Sequence, residues 1–400
     1  MISGGGGLRR PPALVAGGYT MALAIVRALG DASVPVVVLH YDDRDLAHYS
    51  RRAVAGIRVP SPLHDEAGFV AAILRLASVF RGALLVPASD ESVVALSRNL
   101  EALSAEFVVA ALPWPVTERF IDKSVTYGIA EAHGIAAPRT HRPLSRTDLA
   151  AQADEIGYPL LLKPAESHRF YEVFRRKMVW VESSAQLHAA YDAATDAGLR
   201  VMVQEYVPGG DDAVVNYNAY VADGRTVAEF TSRQVRKAPP RIGSPRVVHA
   251  EPIPEVLEMG RATLAAIGFS GFACTEFKRD SRDGGYRLME VNGRHNLSGL
   301  LAVKSGINFP LLQYRHLVEG VLPEVPEARY GLYWTDAFRD VGYSVAGLRS
   351  ERWPLRQYVR PYATPHCDAI LDRHDPGPAL ARLRYVVEHA VGLTKTAVRR

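Results

Sequence analysis

Arg287-Leu288-Met289-Glu290-Val291-Asn292-Gly293-Arg294, preceded by Thr275-Glu276-Phe277-Lys278, is the stretch on which the reading of this chain turns. Both segments read as strands. Successive strand side chains point to opposite faces, so strict alternation predicts Leu288, Glu290, Asn292 and Arg294 on one face. That face then carries a carboxylate, an amide and a guanidinium, with Glu276 on the strand beside it. Mg²⁺ takes hard oxygen ligands, typically one or two carboxylates together with phosphate oxygens, and an arginine fork suits anionic oxygens. The same pattern also describes the solvated face of an antiparallel strand. What decides between the two is whether the remaining residues supply a nucleotide site.

Composition narrows the classes. With 400 residues, 48% of them hydrophobic, the chain has material for two or three domains with their own cores. The formal charge of +4 sits partly near the ends, at Arg9, Arg10, Lys395, Arg399 and Arg400. No stripe of clustered bases with aromatic platforms occurs, so a nucleic-acid partner is not expected. Cys274 and Cys367 are the only cysteines, which argues against a disulfide framework or a thiolate metal site and for a reducing cytoplasm. Residues 1–12 read as a glycine-rich flexible tail, and no run of eighteen apolar residues suggests a membrane span.

Ala13-Leu14-Val15-Ala16 reads as a short strand, entering Gly17-Gly18-Tyr19-Thr20 and a helical pattern from Met21 to Leu29. A strand from Val34 to Leu39, a helix from Glu66 to Val79 and a strand from Ala83 to Val86 follow. This alternation predicts a doubly wound parallel sheet. The Gly17-Gly18 turn lacks the full G-x-G-x-x-G fingerprint, so a nicotinamide dinucleotide is not expected. Pro87-Ala88-Ser89-Asp90-Glu91 follows a strand end, where open α/β sheets place ligands, and equally suits a helix cap. Leu112-Pro113-Trp114-Pro115 interrupts the pattern. Beyond it come a helix from Val116 to His133 carrying Asp122-Lys123, a strand from Tyr158 ending on Lys163-Pro164, and a strand from Val201 to Val207 closed by Pro208-Gly209-Gly210-Asp211-Asp212. Strands over 214–221 and 226–232 are joined at Asp223-Gly224 as a hairpin. A helix from Glu255 to Ile267 leads into the two acidic strands. The tail from about Tyr330 ends in a helix from Pro378 to Val391, and Asp372-Arg373-His374-Asp375-Pro376 reads as a helix-entry loop.

The order of these elements from Val116 to Pro310 resembles the ATP-grasp superfamily. The resemblance implies an α/β chain: an N-terminal doubly wound, Rossmann-like pre-ATP-grasp domain over 13–115, an α+β ATP-grasp domain over 116–325 and a small C-terminal extension over 326–400. The ATP-grasp domain divides into subdomains at 116–203 and 204–325. By the same resemblance, Lys123 and Lys163 contact ATP phosphates, and Gln204, Glu205, Tyr206 and Val207 hold the adenine. Asp212, with Asp211 as the alternative, takes the ribose. Glu276, Glu290 and Asn292 hold Mg²⁺, or Mn²⁺ in its place, and Arg294 steadies phosphate or a developing acyl phosphate, with Lys163 its catalytic companion. Where many such enzymes have a glycine-rich loop over the triphosphate, this chain has Ser167, His168, Arg169, Arg176 and Lys177, which offer hydroxyl and cationic donors instead. That departure resembles a subset of predicted ATP-dependent carboxylate-amine ligases, which also carry a turn like Pro87 to Glu91 and a basic loop with a proline pair like Arg233 to Pro240.

The implied activity is amide or peptide bond formation through an acyl phosphate, with release of ADP and phosphate. A small-molecule kinase, a carboxylase and a non-catalytic nucleotide-binding module are the alternatives. The implied partners are a small carboxylate and an amine, with Ser89, Asp90, Arg233 and Arg236 as candidate lining residues. The sequence leaves the oligomeric state open, a homodimer being the commonest assembly in general.

Overall fold

The computed structural model describes residues 10–165, 167–176, 178–240, 243–346 and 353–397. It divides into two compact units, Met1–Ala111 with Arg294–Arg400, and Leu112–Gly293.

In the first unit, β1 (Ala13–Ala16), β2 (Val36–His40), β3 (Ala53–Arg58), β4 (Leu84–Pro87) and β5 (Val108–Val109) form a parallel sheet in the order β3-β2-β1-β4-β5. The apolar runs of β1, β2 and β4 are buried throughout because both faces are covered. Leu14, Ala16, Val37, Leu39 and Leu85 pack with Phe69 and Ile73, whereas Ala13, Val15, Val36, Val38, Leu84 and Val86 pack with Leu23, Val26 and Tyr314. Each valine, leucine, isoleucine or phenylalanine among them contributes about 1.5–3 kcal/mol when fully buried. The strand order reverses between β1 and β4, the kind of point at which doubly wound sheets take ligands. There Gly17 has φ +132°, and a Cβ on it would stand 3.2 Å from that of Ala88. The helix expected over 66–79 is two, Glu66–Arg75 and Ala77–Phe80.

The late residues of the chain complete this unit. Arg27, 2% exposed, donates from Nε to Asp375 at 3.0 Å and from its Nη atoms to the carbonyls of Ala369 and Ile370. Asp375, fully buried, also accepts from Ser50 Oγ at 2.8 Å and the Arg51 amide at 2.9 Å. The run read as a helix-entry loop is therefore a buried charge staple as well. Asp375→Asn should cost about 2 kcal/mol, the range for a hydrogen bond to a charged group, read as a lower midpoint in urea unfolding at unchanged slope.

In the second unit, a small antiparallel sheet has the order β6-β9-β7-β8, with β6 Thr140–His141, β7 Leu160–Pro164, β8 Val179–Val181 and β9 Val201–Glu205. Leu160, Leu162, Val201 and Val203 pack against Leu149, Ala153 and Leu187 of the covering helices. Alternation puts Leu161, Lys163, Met202 and Gln204 on the other face, in facing register. A larger sheet runs β14-β13-β10-β11-β12, with β10 Val214–Ala222, β11 Arg225–Ala238, β12 Ser244–Ala250, β13 Gly271–Arg279 and β14 Tyr286–Asn292. The hairpin turns at Asp223 and Gly224, both at positive φ (50° and 70°), as a two-residue turn with the strands' own twist requires. β11 continues through Lys237, so the basic segment from Arg233 is strand rather than loop.

Candidate active site

The helix expected over 116–133 breaks in two, Trp114–Ile121 and Lys123–Ala132, at Asp122. Hydrophobic periodicity does not register a cap, and Asp122 is one: its carboxylate accepts from the Ser124 amide at 2.9 Å. Its other oxygen pairs with Arg200 at 2.9 Å, just ahead of β9. The Lys123 amide donates to the Ala165 carbonyl at 3.3 Å, immediately after β7. Lys123 is thus brought beside the end of the strand that carries Lys163. A lysine in a helix's first turn opposes the helix dipole, by about 0.3–1 kcal/mol. Here its ammonium meets the Glu290 carboxylate in a close ion pair. One turn on, Tyr127 Oη donates to the Met289 carbonyl at 2.6 Å.

Met289 marks a departure from the alternation expected for this strand. The register shifts there, so that Glu290 faces Glu276 while Leu288 faces Phe277. Because Glu276 and Phe277 point to opposite sides, the bulge removes Leu288 from the acidic face and leaves it buried. Arg294 leaves that face too: β14 ends at Asn292. What remains is Glu276 opposite Glu290, with Asn292 on the same face opposite Cys274. Gln234 Nε2 approaches Glu276 Oε2 at 3.4 Å and Asn216 Oδ1 at 3.1 Å.

Lys163 is the electrostatic centre. Burial foremost, and then the Lys123 ammonium, push it down to about 7; Glu290 pulls the other way, and Lys237 and Lys278 lower it further. Lys123, Lys237 and Lys278 thus all act on Lys163, with Glu290 opposing them there. Sequence reading included Lys237 only as part of the basic loop Arg233 to Pro240 and gave Lys278 no role. Lysines in an alternating strand look like solvated residues, yet both are buried. The Lys278 ammonium stands 4.8 Å from the centre of the Tyr206 ring, which meets Trp180 edge-on at 4.6 Å. Beside them Gln204 is fully buried; its Nε2 donates to Thr140 at 2.8 Å, and its Oε1 has no hydrogen-bond partner among the described residues.

The structure places the other candidates as follows. Burial raises the Glu205 carboxyl, but Arg282 and Arg139 outweigh it and hold the group below its usual range, so this side chain is engaged by both arginines. Val207 is buried. The Asp211 carboxylate accepts from the Lys237 amide at 2.9 Å, whereas Asp212 is exposed. Arg233 is engaged by Glu251 through Nε and Nη2 and donates to the Asp212 carbonyl at 2.8 Å, and Arg236 is fully buried. In the first unit, Ser89 caps the helix Asp90–Arg98, and Asp90 holds Arg294 by hydrogen bonds of 2.6 and 3.0 Å. Ser167 and His168 fall on the helix Ser167–Phe174, but their side chains, like Lys177 altogether, lie outside the described residues.

Among the described residues no group of three or more His, Cys, Asp and Glu side chains is arranged to hold a metal ion. Nor is any helix there long and apolar enough to cross a membrane.

Taken with its structural likenesses, this arrangement identifies an ATP-grasp fold. The chain superposes on a biotin carboxylase–β,γ-ATP complex from Campylobacter jejuni with a TM-score of 0.65 at 17% identity, covering 82% of this chain and 75% of that one. An L-amino acid ligase from Bacillus licheniformis gives 0.59 at 19% identity, over 79% and 78%. Among curated sequences, the chain is 25% identical to a D-aspartate ligase of Enterococcus faecium over 306 residues, 72% of each chain. It is 26% identical over 228 residues to a D-alanine–D-alanine ligase of Ectopseudomonas mendocina, 52% of this chain and 66% of that one. No family model matches the chain. The resemblance read from sequence is borne out by these likenesses, and both curated relatives are ligases.

Proposed function

We propose that this protein is an ATP-dependent carboxylate-amine ligase that forms an amide through an acyl phosphate. The observation that carries this reading is the positive charge gathered at buried Lys163, on which Lys123, Lys237 and Lys278 all act and which suits a polyanion. A nucleoside triphosphate supplies one, with its phosphates at the lysines. The buried, unpartnered Gln204 Oε1 suits a donor such as an adenine amino group. Glu276, Glu290 and Asn292 fit Mg²⁺ in the form the ion prefers with nucleotides, shared between one or two carboxylates and phosphate oxygens. When bound, the ion offsets phosphate charge.

In the reaction, an oxygen of the substrate carboxylate attacks the γ-phosphorus and the bond to ADP breaks. Lys123 and Lys163 offset the charge on the transferring group. The second substrate's ammonium loses a proton to solvent, the amine so formed attacks the acyl carbon, and phosphate leaves as a second proton is lost from the nitrogen to give the amide. In this reading Arg294 steadies that phosphate. The names of the curated relatives support an amino acid as one of the two substrates.

Purified protein with Mg-ATP and pairs drawn from D-aspartate, D-alanine and L-amino acids should release ADP and phosphate only when acid and amine are both present. AMP release would overturn the acyl-phosphate route, and ADP without free phosphate would mark a kinase. Asp212 is assigned the ribose hydroxyls, because the Asp211 carboxylate is already engaged by the Lys237 amide. Asp212→Asn should weaken ATP binding about fivefold to tenfold, and Asp211→Asn should act mainly on thermal stability, as read by calorimetric titration and thermal melts.

A further inference from the structure

Thr140 on β6 stands directly opposite Gln204 on β9, so their side chains meet on the sheet face that also carries Lys163. The Thr140 hydroxyl donates to the Pro138 carbonyl at 2.8 Å, and Pro138 is buried, where a carbonyl needs a donor. A threonine hydroxyl has one proton, so toward Gln204 it can only accept. Gln204 Nε2 supplies that proton at 2.8 Å, which leaves Oε1 as the acceptor that has no partner among the described residues. We propose that Thr140 is a positioning residue that sets which base the nucleotide site takes: it holds the Gln204 amide with its oxygen ready to accept, and so selects a purine with a 6-amino group over one with a 6-oxo group, an inference that rests on the ATP reading above.

Turning the amide over would set Oε1 against a hydroxyl oxygen whose proton is already given to Pro138. Two acceptors would then face each other on a side chain with no exposure to water. The network thus decides which amide atom is the oxygen. Tyr127 fits the same orientation. Its hydroxyl donates to the Met289 carbonyl at 2.6 Å, so it too can only accept from Gln204. Burial foremost raises this phenol, while Lys123 and a hydrogen bond with Gln204 lower it, and a bond that lowers a phenol is one donated to its oxygen. The strand pair is pinned beside these two residues: the Glu205 amide donates to the Arg139 carbonyl at 2.9 Å, and the Arg139 amide to Glu205 Oε2 at 3.1 Å. A 6-oxo base would bring a second acceptor to Oε1, the kind of mismatch that a site built for hydrogen bonding rejects most strongly.

The test compares dissociation constants for Mg-ATP and Mg-ITP, whose bases carry the 6-amino and the 6-oxo group, in the unaltered protein, Thr140→Val and Thr140→Ser. The unaltered protein should prefer Mg-ATP by about tenfold to a hundredfold. Valine keeps the shape and removes the hydroxyl, which frees the amide to turn and offer Nε2 to the base. The preference should then fall to about threefold or less, chiefly because Mg-ITP binds more tightly, and Thr140→Ser should keep it near its original value. An unchanged ratio in the Val variant, whether or not both affinities fall, would leave Thr140 a structural residue and overturn the proposal. So would an unaltered protein that binds Mg-ATP and Mg-ITP equally, a result that leaves the ATP reading standing. If the unaltered protein binds no Mg-ATP, that reading itself fails. Should the Val variant not fold, Thr140→Ala makes the same comparison.

Discussion

Replacing Glu290 by glutamine is expected to lower turnover by about a hundredfold to a thousandfold, the range for removing one preorganised contact from a transition-state site, while the fold persists. The argument is local. Glu290 stands opposite Glu276 and against the Lys123 ammonium, so it serves both the proposed ion and the lysine. Glutamine keeps the shape and loses the charge. Its cost to stability should be about 1 kcal/mol or less, because the Glu290 side chain is one-third exposed and the pair is partly screened. Steady-state ADP release and the urea midpoint, measured on the same preparation, check the two halves. A variant with ordinary turnover would return the acidic face to an unremarkable strand edge.

Nucleotide affinity should fall as pH rises through neutrality, and Lys163 is the reason. Burial and the Lys123 ammonium hold this lysine down at about 7, so the apo protein loses its proton there. Phosphate favours the ammonium and raises the pKa of the complex. Below pH 7 the lysine is charged with or without ligand, and affinity is at its plateau. Above it, binding must draw a proton from solvent, and affinity drops by up to about tenfold per pH unit until the pKa of the complex is reached. Calorimetric titration in two buffers of different ionisation heat should find close to one proton taken up at pH 8 and little at pH 6. Lys163→Met should bind more weakly at pH 6 and show no such slope through neutrality. A flat profile for the unaltered protein would separate Lys163 from the phosphates.

How much of this could be read from sequence depended on the kind of signal. Apolar runs broken by glycines announced the parallel sheet, because a strand covered on both faces has no polar positions to disguise it. Asp223-Gly224 announced the hairpin through backbone freedom alone. Strand alternation correctly set Glu290 beside Asn292, but it failed at Met289, where one extra residue turns Leu288 away. A bulge leaves no mark in composition. The helix break at Asp122 was legible in principle, since Asp followed by Lys and Ser is a cap pattern; periodicity overrode it. Lys237 and Lys278 were hidden for another reason. Burial of a lysine is decided by strands distant in sequence, and a single strand cannot announce that its ammonium will act on Lys163.

The buried pair of Arg27 and Asp375 has a consequence for synthesis on the ribosome. The first unit takes residues from both sides of the second, which is spliced into it between Ala111 and Arg294. When β1 to β5 have emerged, the acid that neutralises Arg27 is still 348 positions downstream of it. A nascent first unit therefore carries a guanidinium it can neither bury nor pair. The second unit, continuous in sequence, meets no such delay. The order of folding should thus run opposite to the order of translation, with the middle of the chain native before its beginning.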